Sequence, residues 1–356
     1  MTIVAHAHSF VIGVDTHARN HVLAVVASDG RLIDTASFPT SQAGLGRAIA
    51  WAARRTGGDL GALWVIEGAA NYGAQLAHSV TRAGYQVVEA PRMGARGPQG
   101  KTDAVDARRI AEAVLPLDLT ELRHPRRDNG ERAALQILIT ARDQMSTERT
   151  ATINALTALT RTIDLGIDAR RALTRTQIRQ IATWQPLGND PIATATARTE
   201  AIRLAHRITA LDTQLATNLT TITTLLKATP AAGLLTKTGI GPITAAIALT
   251  AWSHPGRLRS EAAFAALAGV NPIPASSGNT QRHRLNRGGD RRLNRALHMA
   301  TITRMTHDPD TRTYTQRRTE QGRTTKEIRR CLKRYLARHI HRYLTNAYTP
   351  TTLDKT

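Results

Sequence analysis

A single cysteine, Cys331, in a chain of 356 residues leaves no partner for an intramolecular disulfide and too few thiolates for a cysteine-rich zinc module. Aromatic residues are scarce at 4%, so the cores must be built from Ala, Leu, Ile and Val. No apolar run reaches the ~18 residues needed to span a bilayer, so no membrane partner is expected. The N-terminus, MTIVAHAHSF, has no basic n-region and no long apolar h-region. It reads as no secretory leader, and a cytoplasmic protein is expected. Acidic residues are few: 27 against 48 basic ones, a formal charge of +21. Even among the basic residues lysine is rare, with six Lys and 42 Arg. That balance points to a polyanionic partner. Arginine forks onto phosphate oxygens and base edges, although a GC-rich genome would also favour it. Apolar residues still make up 41%, enough to bury cores, and the length suits two or three domains.

Charge is spread unevenly. Residues 1–118 carry a net +1, residues 119–228 a net +5 and residues 229–356 a net +15. A polyanion is therefore expected against the last third. Three domains and a tail follow: 1–118, 119–228, 229–345 and 346–356. The first alternates strand and helix signals. Phe10 to Asp15 and His21 to Ala27 read as strands, and Ser28-Asp29-Gly30-Arg31 as a hairpin turn. Residues 41–55 read as a helix, 62–67 as a buried strand, 72–83 as a helix, 86–90 as a strand and 103–115 as a helix. This is an α/β domain with an antiparallel start. The second region reads as all helix. One stripe runs Leu135, Leu138, Met145, Leu156, Leu159, Ile163, interrupted by Arg142, Arg149 and Thr152. A cleaner one runs Leu204, Ile208, Leu211, Leu215, Leu219, Ile222, Leu225. Two long antiparallel helices or a dimerising coiled coil would bury them, with a break at 184–191. The third region reads as mainly helical and loop-rich. It closes with a helix whose stripe is Ile328, Leu332, Tyr335, Leu336, Ile340, Tyr343 and Leu344, and Cys331 reads as a small core residue beside it. Arg317, Arg318 and Arg323 read either as a solvated surface or as phosphate contacts.

Four carboxylates stand out. Asp15 follows one apolar strand and Glu67 closes another, where a carboxylate is expensive unless it serves something. Asp103 and Asp106 are three apart at a helix start and share a face. Singly, each could be a turn or cap residue, and Asp103 after Thr102 could favour the helix dipole. Together they form a self-repelling cluster that suits a divalent cation, best Mg²⁺, shared with phosphate.

The basic third holds two further patterns. Thr238-Gly239-Ile240-Gly241-Pro242 between apolar helices is either a phosphate-holding helix-hairpin-helix or a plain interhelical turn. Ser276-Ser277-Gly278 precedes Arg282, Arg284, Arg287, Arg291, Arg292 and Arg295. Alone, a Ser-Ser-Gly loop is an ordinary turn. Next to so many guanidinium groups it is also a place for attack on phosphate.

The order Asp, Glu, Asp-x-x-Asp resembles that of RuvC-like nucleases of the ribonuclease H fold. The segments IGVDTHARNHVLAVV, IEGAANYGAQLA, YQVVEAPR and GKTDAVDARRIAEAVL resemble the N-terminal half of DEDD transposases of the IS110 family, relatives of the Piv and MooV invertases. Residues Gly239 through Leu344 resemble that family's C-terminal transposase domain, so the likeness covers about residues 10–345. It departs at Arg92 to Gly100, which is less densely basic than in relatives. The resemblance implies an N-terminal RuvC-like domain, a helical coiled-coil middle and a mainly helical C-terminal domain. It implies a DNA transposase in which Asp15, Glu67, Asp103 and Asp106 hold Mg²⁺ and Ser277, or its neighbour Ser276, attacks DNA to form a phosphoserine link. Lys101, Gly239, Gly241 and the arginines named above would contact nucleic acid. Donor and target DNA, a structured guide RNA and a homo-oligomer (dimer or tetramer) are the implied partners. Two other classes fit the same residues: a Mg²⁺-dependent Holliday-junction-type endonuclease that uses water, and a nucleic-acid-binding protein with a dead site.

Overall fold

The computed structural model describes residues 2–91, 93, 102–126, 130–276 and 283–349. The chain forms two compact units, Met1–Asn129 with Trp252–Ala263, and Gly130–Ala251 with Phe264–Thr356. No helix among the described residues is long and apolar enough to cross a membrane.

In the first unit a short helix α1 (Val4–Ala7) precedes three antiparallel strands, β1 (Phe10–Thr16), β2 (Asn20–Ala27) and β3 (Leu32–Pro39). Helix α2 (Gln42–Arg55), β4 (Leu63–Ile66), α3 (Ala74–Arg82), β5 (Gln86–Glu89) and α4 (Asp103–Glu112) follow. The described strands make one sheet in the order β3-β2-β1-β4-β5. β1 pairs antiparallel with β2 and parallel with β4. The mixed α/β architecture expected for this region is present.

The near-continuous apolar run of β1 follows from burial on both faces. Ile12 and Val14 pack with Trp64, Ile66, Leu45, Trp51 and Leu76 on the α2–α3 side. Val11, Leu63, Val65 and Val88 pack with Ile110 and Ala111 of α4 on the other. The period-2 alternation of strands therefore assigns odd positions of β1 and β4 to the α4 side. α4 stops at Glu112, three residues short of the expected end. Its start is set by Thr102, whose hydroxyl accepts from Val105 N.

The second unit is built on two long helices, α5 (Gly130–Thr162) and α7 (Ile192–Lys227), with α6 (Arg175–Ala182) between them. Sequence reading missed α6, which is short and capped by Thr174 and Gln177. The buried stripe of α7 is also shifted from the expected one. It runs through Ala197, Ala201, Ala205, Ile208, Leu211, Asn218, Ile222 and Leu226, and Leu219 is 36% exposed. Small alanines let the helices approach, so the leucine stripe was not the whole seam. The residues that interrupt the α5 stripe clasp α7. Arg142 donates to the Leu215 carbonyl (2.8 Å) and to Asn218 Oδ1 (3.3 Å). Arg149 pairs with Asp212. Asn218, buried in the seam, donates to the Leu138 carbonyl (3.0 Å). Replacing Asn218 by Ala removes the bond to the Leu138 carbonyl and one contact of the charged Arg142. The expected loss is about 1–3 kcal/mol in urea unfolding, the range for hydrogen bonds that include a charged partner.

A 3-10 segment Pro230–Thr236 leads to α8 (Pro242–Trp252) and α9 (Glu261–Leu267). Then come β6 (Pro272–Pro274), β7 (His283–Leu285), α10 (Arg291–His307), α11 (Pro309–Glu320) and α12 (Thr325–Tyr348). The β6–β7 hairpin was not expected in this mainly helical region. Its strands are three residues long, and prolines open and close β6. α12 buries Ile328, Leu336, Ala337, Ile340, His341 and Leu344, whereas Tyr335 is 46% exposed.

Candidate metal and nucleic-acid sites

The acidic site follows from strand parity. Val11, Gly13 and Asp15 face α4, as do Leu63, Val65 and Glu67 in β4 and just beyond it. The parallel register pairs Val14 with Ile66, and Glu67 N donates to the Val14 carbonyl (3.0 Å). Asp15 and Glu67 thus leave adjacent strands at one level. The first turn of α4 brings Asp103 and Asp106 to that level. Asp15, Glu67, Asp103 and Asp106 line one cavity of about 450 Å³, together with Thr16, His17, Asn71, Tyr72 and Arg109.

His17 was missed in the sequence. Its signal is there, because residues two apart on a strand point the same way. Nε2 of His17 lies 3.2 Å from Asp15 Oδ2 and 3.6 Å from Asp103 Oδ2. The oxygens of Asp15 and Asp103 and this nitrogen are close enough to share one ion. Asp15 is only 7% exposed. Burial pushes its carboxyl above the ordinary value, His17 opposes that, and the charges of Asp103 and Asp106 add to it. Arg109 Nη1 lies 3.7 Å from Asp106 Oδ1, which sets one side of the cavity. The donor set fits a hard divalent cation. It is oxygen-rich, self-repelling and partly desolvated, and His17 Nε2 already faces the oxygens of Asp15 and Asp103.

The expected basic and serine residues lie apart from this set in sequence, in the second unit. Ser276 follows β6 and is exposed, at the edge of the described residues. Ser277, Gly278 and Arg282 lie outside the described residues, as do Lys101 and the stretch 94–100. Arg284 is exposed on β7, and Arg287 and Arg291 are exposed beyond it. Arg292 and Arg295 both reach Asp143 of α5, at 2.8 Å and 3.3 Å. Gly239 has φ +79°, and a Cβ there would meet the Ala300 carbonyl at 2.6 Å. Close packing on α10 therefore requires that glycine. Gly241 faces open space at the start of α8.

A mixed α/β unit whose strand ends and one helix start pool Asp, Glu, Asp and Asp in one pocket is consistent with a DEDD transposase domain. Residues 12–163 match a transposase family model of the DEDD, IS110 type, and residues 231–316 match the model of the transposase IS116/IS110/IS902 family. The chain is similar to the insertion element IS110 uncharacterized 43.6 kDa protein of Streptomyces coelicolor, 29% identical over 271 residues. That match covers 64% of this chain and 66% of the relative, just under two thirds of its length. It is also similar to the insertion element IS900 uncharacterized 42 kDa protein of Mycobacterium paratuberculosis, 28% identical over 377 aligned positions, or 91% and 93% of the two chains. Both family models name transposases of the IS110 type, and the chain is similar to them over residues 12–163 and 231–316.

Proposed function

We propose that this protein cuts and rejoins DNA strands through a serine ester, with the acidic pocket of the first unit and Ser277 of the second acting on one phosphodiester. The observation that carries the reading is the gathering of Asp15, Glu67, Asp103 and Asp106 in one cavity. Asp15, Asp103 and His17 would hold a divalent cation, best Mg²⁺, with Glu67 and Asp106 beside them. Bound there, the cation would supply positive charge against phosphate oxygens.

The chain's own groups define the rest. Ser277 Oγ attacks phosphorus and loses its proton, the bond from phosphorus to one sugar oxygen breaks, and that oxygen ends protonated. One phosphate ester replaces another, so the bond energy is kept and a DNA hydroxyl can reverse the step. The exposed arginines at 284, 287 and 291 sit close to Ser277 in sequence, where cations would hold the DNA backbone. The same reading takes donor and target DNA as substrates. It takes a structured RNA as the guide, with base pairing choosing the sites and the protein reading backbones. A dimer or tetramer is the working form. Residues 1–118 are read as a RuvC-like domain and 119–228 as the helical arm.

Denaturing electrophoresis of reactions with a labelled donor junction tests the core of the proposal. The wild-type chain should yield a covalent protein–DNA band, and Ser276→Ala should keep it. Ser277→Ala should lose the band and at least about 10³-fold of strand rejoining, as expected when a nucleophile is removed. Full cleavage by Ser277→Ala, with no covalent band from the wild type, would establish the water-using endonuclease instead. If the wild type binds DNA but never cuts it with Mg²⁺, the site is dead.

A further inference from the structure

A cavity of about 670 Å³ in the second unit lies against the β6–β7 hairpin and the first half of α12. Its size falls in the range of sites that enclose a small ligand, ~300–1,000 Å³, and is too small for a duplex. One wall is cationic: Arg318, Arg323, Arg330, Lys333 and Arg334, with Arg284 from β7. The single carboxylate on the lining is Glu327. It is already engaged, accepting from Thr324 N (2.9 Å) and lying 3.8 Å from Arg323. The opposite wall is apolar, with Val270, Pro272 and Leu285. Leu285 is 52% exposed, an unusual position for a leucine in so basic a region.

Two features show that the cationic wall is held ready. Nη1 of Arg334 is buried and makes no hydrogen bond. A buried guanidinium nitrogen without a partner costs free energy unless a ligand supplies one. Lys333 Nζ donates to Asn294 Oδ1 (2.8 Å), and Asn294 Nδ2 donates to the Ala268 carbonyl (2.7 Å). The ammonium is thereby tied to the turn that starts the hairpin. That turn is tight: Gly269 and Gly289 both have positive φ, and Asp290 N donates to the Leu267 carbonyl. Asn286 Nδ2 donates to Asn271 Oδ1 (2.7 Å) and closes the hairpin base.

We propose that this cavity receives one nucleotide of a DNA single strand, its phosphate on Arg330, Lys333 and Arg334 and its base against Val270 and Leu285. This rests on the proposed function, because Ser277 lies in the sequence between β6 and β7, and both strands line the cavity. The nucleotide is extruded from its stack, since a paired base does not fit. The pocket fixes the position of the cut on the strand and leaves sequence choice elsewhere.

Fluorescence anisotropy with the full chain carrying Ser277→Ala, and a fluorescein-labelled single-stranded DNA of mixed sequence, tests this without chemistry. Adding Arg334→Gln, Lys333→Met or the exposed Arg284→Gln should each weaken binding on the order of tenfold for a charge-assisted contact. Each should flatten the slope of log affinity against log salt by about 0.7. Fully duplex DNA should lose less than single strands. The pocket reading falls if folded variants bind single strands as the parent does. It falls equally if duplex binding drops as far, or if only RNA of the same sequence is lost. If the first two variants do not fold by circular dichroism, Leu285→Ser decides: its side chain is half-exposed and is assigned only to the base in this pocket, so unchanged single-strand binding by this variant overturns the proposal. A missing covalent band in the wild type beside a clear loss of binding would sink the serine and leave the pocket. The reverse pattern would sink the pocket alone.

Discussion

Asp15→Asn is expected to raise the melting temperature of the cation-free protein at pH 7 and to abolish strand cleavage. The carboxylate sits 7% exposed at the end of a central strand, with Asp103 and Asp106 adding negative charge nearby. Burial lifts its folded pKa above the unfolded value. An acid with a raised folded pKa contributes stability below its unfolded pKa, about 3.9, and that contribution is lost as pH rises through the folded value. At neutral pH the ionised group is therefore a net cost. An amide of the same shape removes that cost, although it gives up the attraction of His17. The gain should shrink as the pH falls below 4, where the wild-type carboxyl is protonated too. The second half of the expectation concerns Mg²⁺ or Mn²⁺. Either ion should raise the melting temperature of the wild type, because a ligand that binds only the folded state stabilises it. Asp15→Asn should show little of that rise. Calorimetry with EDTA and with millimolar cation reads both effects without any DNA. A destabilised variant in EDTA, or an equal cation response in the two proteins, would refute the strain argument.

This trade of stability for charge explains why the acidic site was legible from sequence. A carboxylate at the end of a buried apolar run violates the local pattern, and such violations concentrate where function demands them. Strand parity then places Asp15 and Glu67 on the face that α4 covers. His17 was not legible in the same way, because a histidine just past a strand breaks no rule. Only its position two residues after Asp15 marks it. The helical arm shows the opposite failure. Arg142 and Asn218 look like defects in an apolar seam, yet they hydrogen-bond across it. A heptad reading counts leucines and cannot see a polar clasp. It also undervalues Ala197, Ala201 and Ala205, whose small size is what lets α7 pack closely. The β6–β7 hairpin was hidden because three-residue strands carry no period. Pro272 and Pro274 read there as loop, although proline is tolerated on an edge strand.

Gly13→Ala is expected to damage the first unit severely, although it adds only one methyl group. Glycine inside a strand ordinarily costs stability, so alanine would be the better residue on propensity alone, by roughly 0.5–1 kcal/mol. Packing reverses the sign. A Cβ at position 13 would lie 2.1 Å from the Ala107 carbonyl oxygen and 2.6 Å from Ala111 N, both backbone atoms of α4. Backbone cannot rotate away as a side chain can, so the helix must lift from the sheet. Overpacking of this kind costs about 1–3 kcal/mol, beyond the propensity gain. Gly46 supplies the internal control. It lies in α2 with nothing within 4 Å of its would-be Cβ, so Gly46→Ala should stabilise by about 0.4–1 kcal/mol. The functional consequence follows from what α4 carries. Lifting Ala107 and Ala111 also lifts Asp103 and Asp106 away from Asp15. Gly13→Ala should therefore lose the cation-dependent rise in melting temperature even under conditions where it stays folded. Guanidinium unfolding of the two variants, followed by cation titration of whatever Gly13→Ala remains native, separates the outcomes. A Gly13→Ala protein as stable as the wild type would mean that the contact between β1 and α4 is looser than the geometry states, and the four carboxylates would lose the element that gathers them.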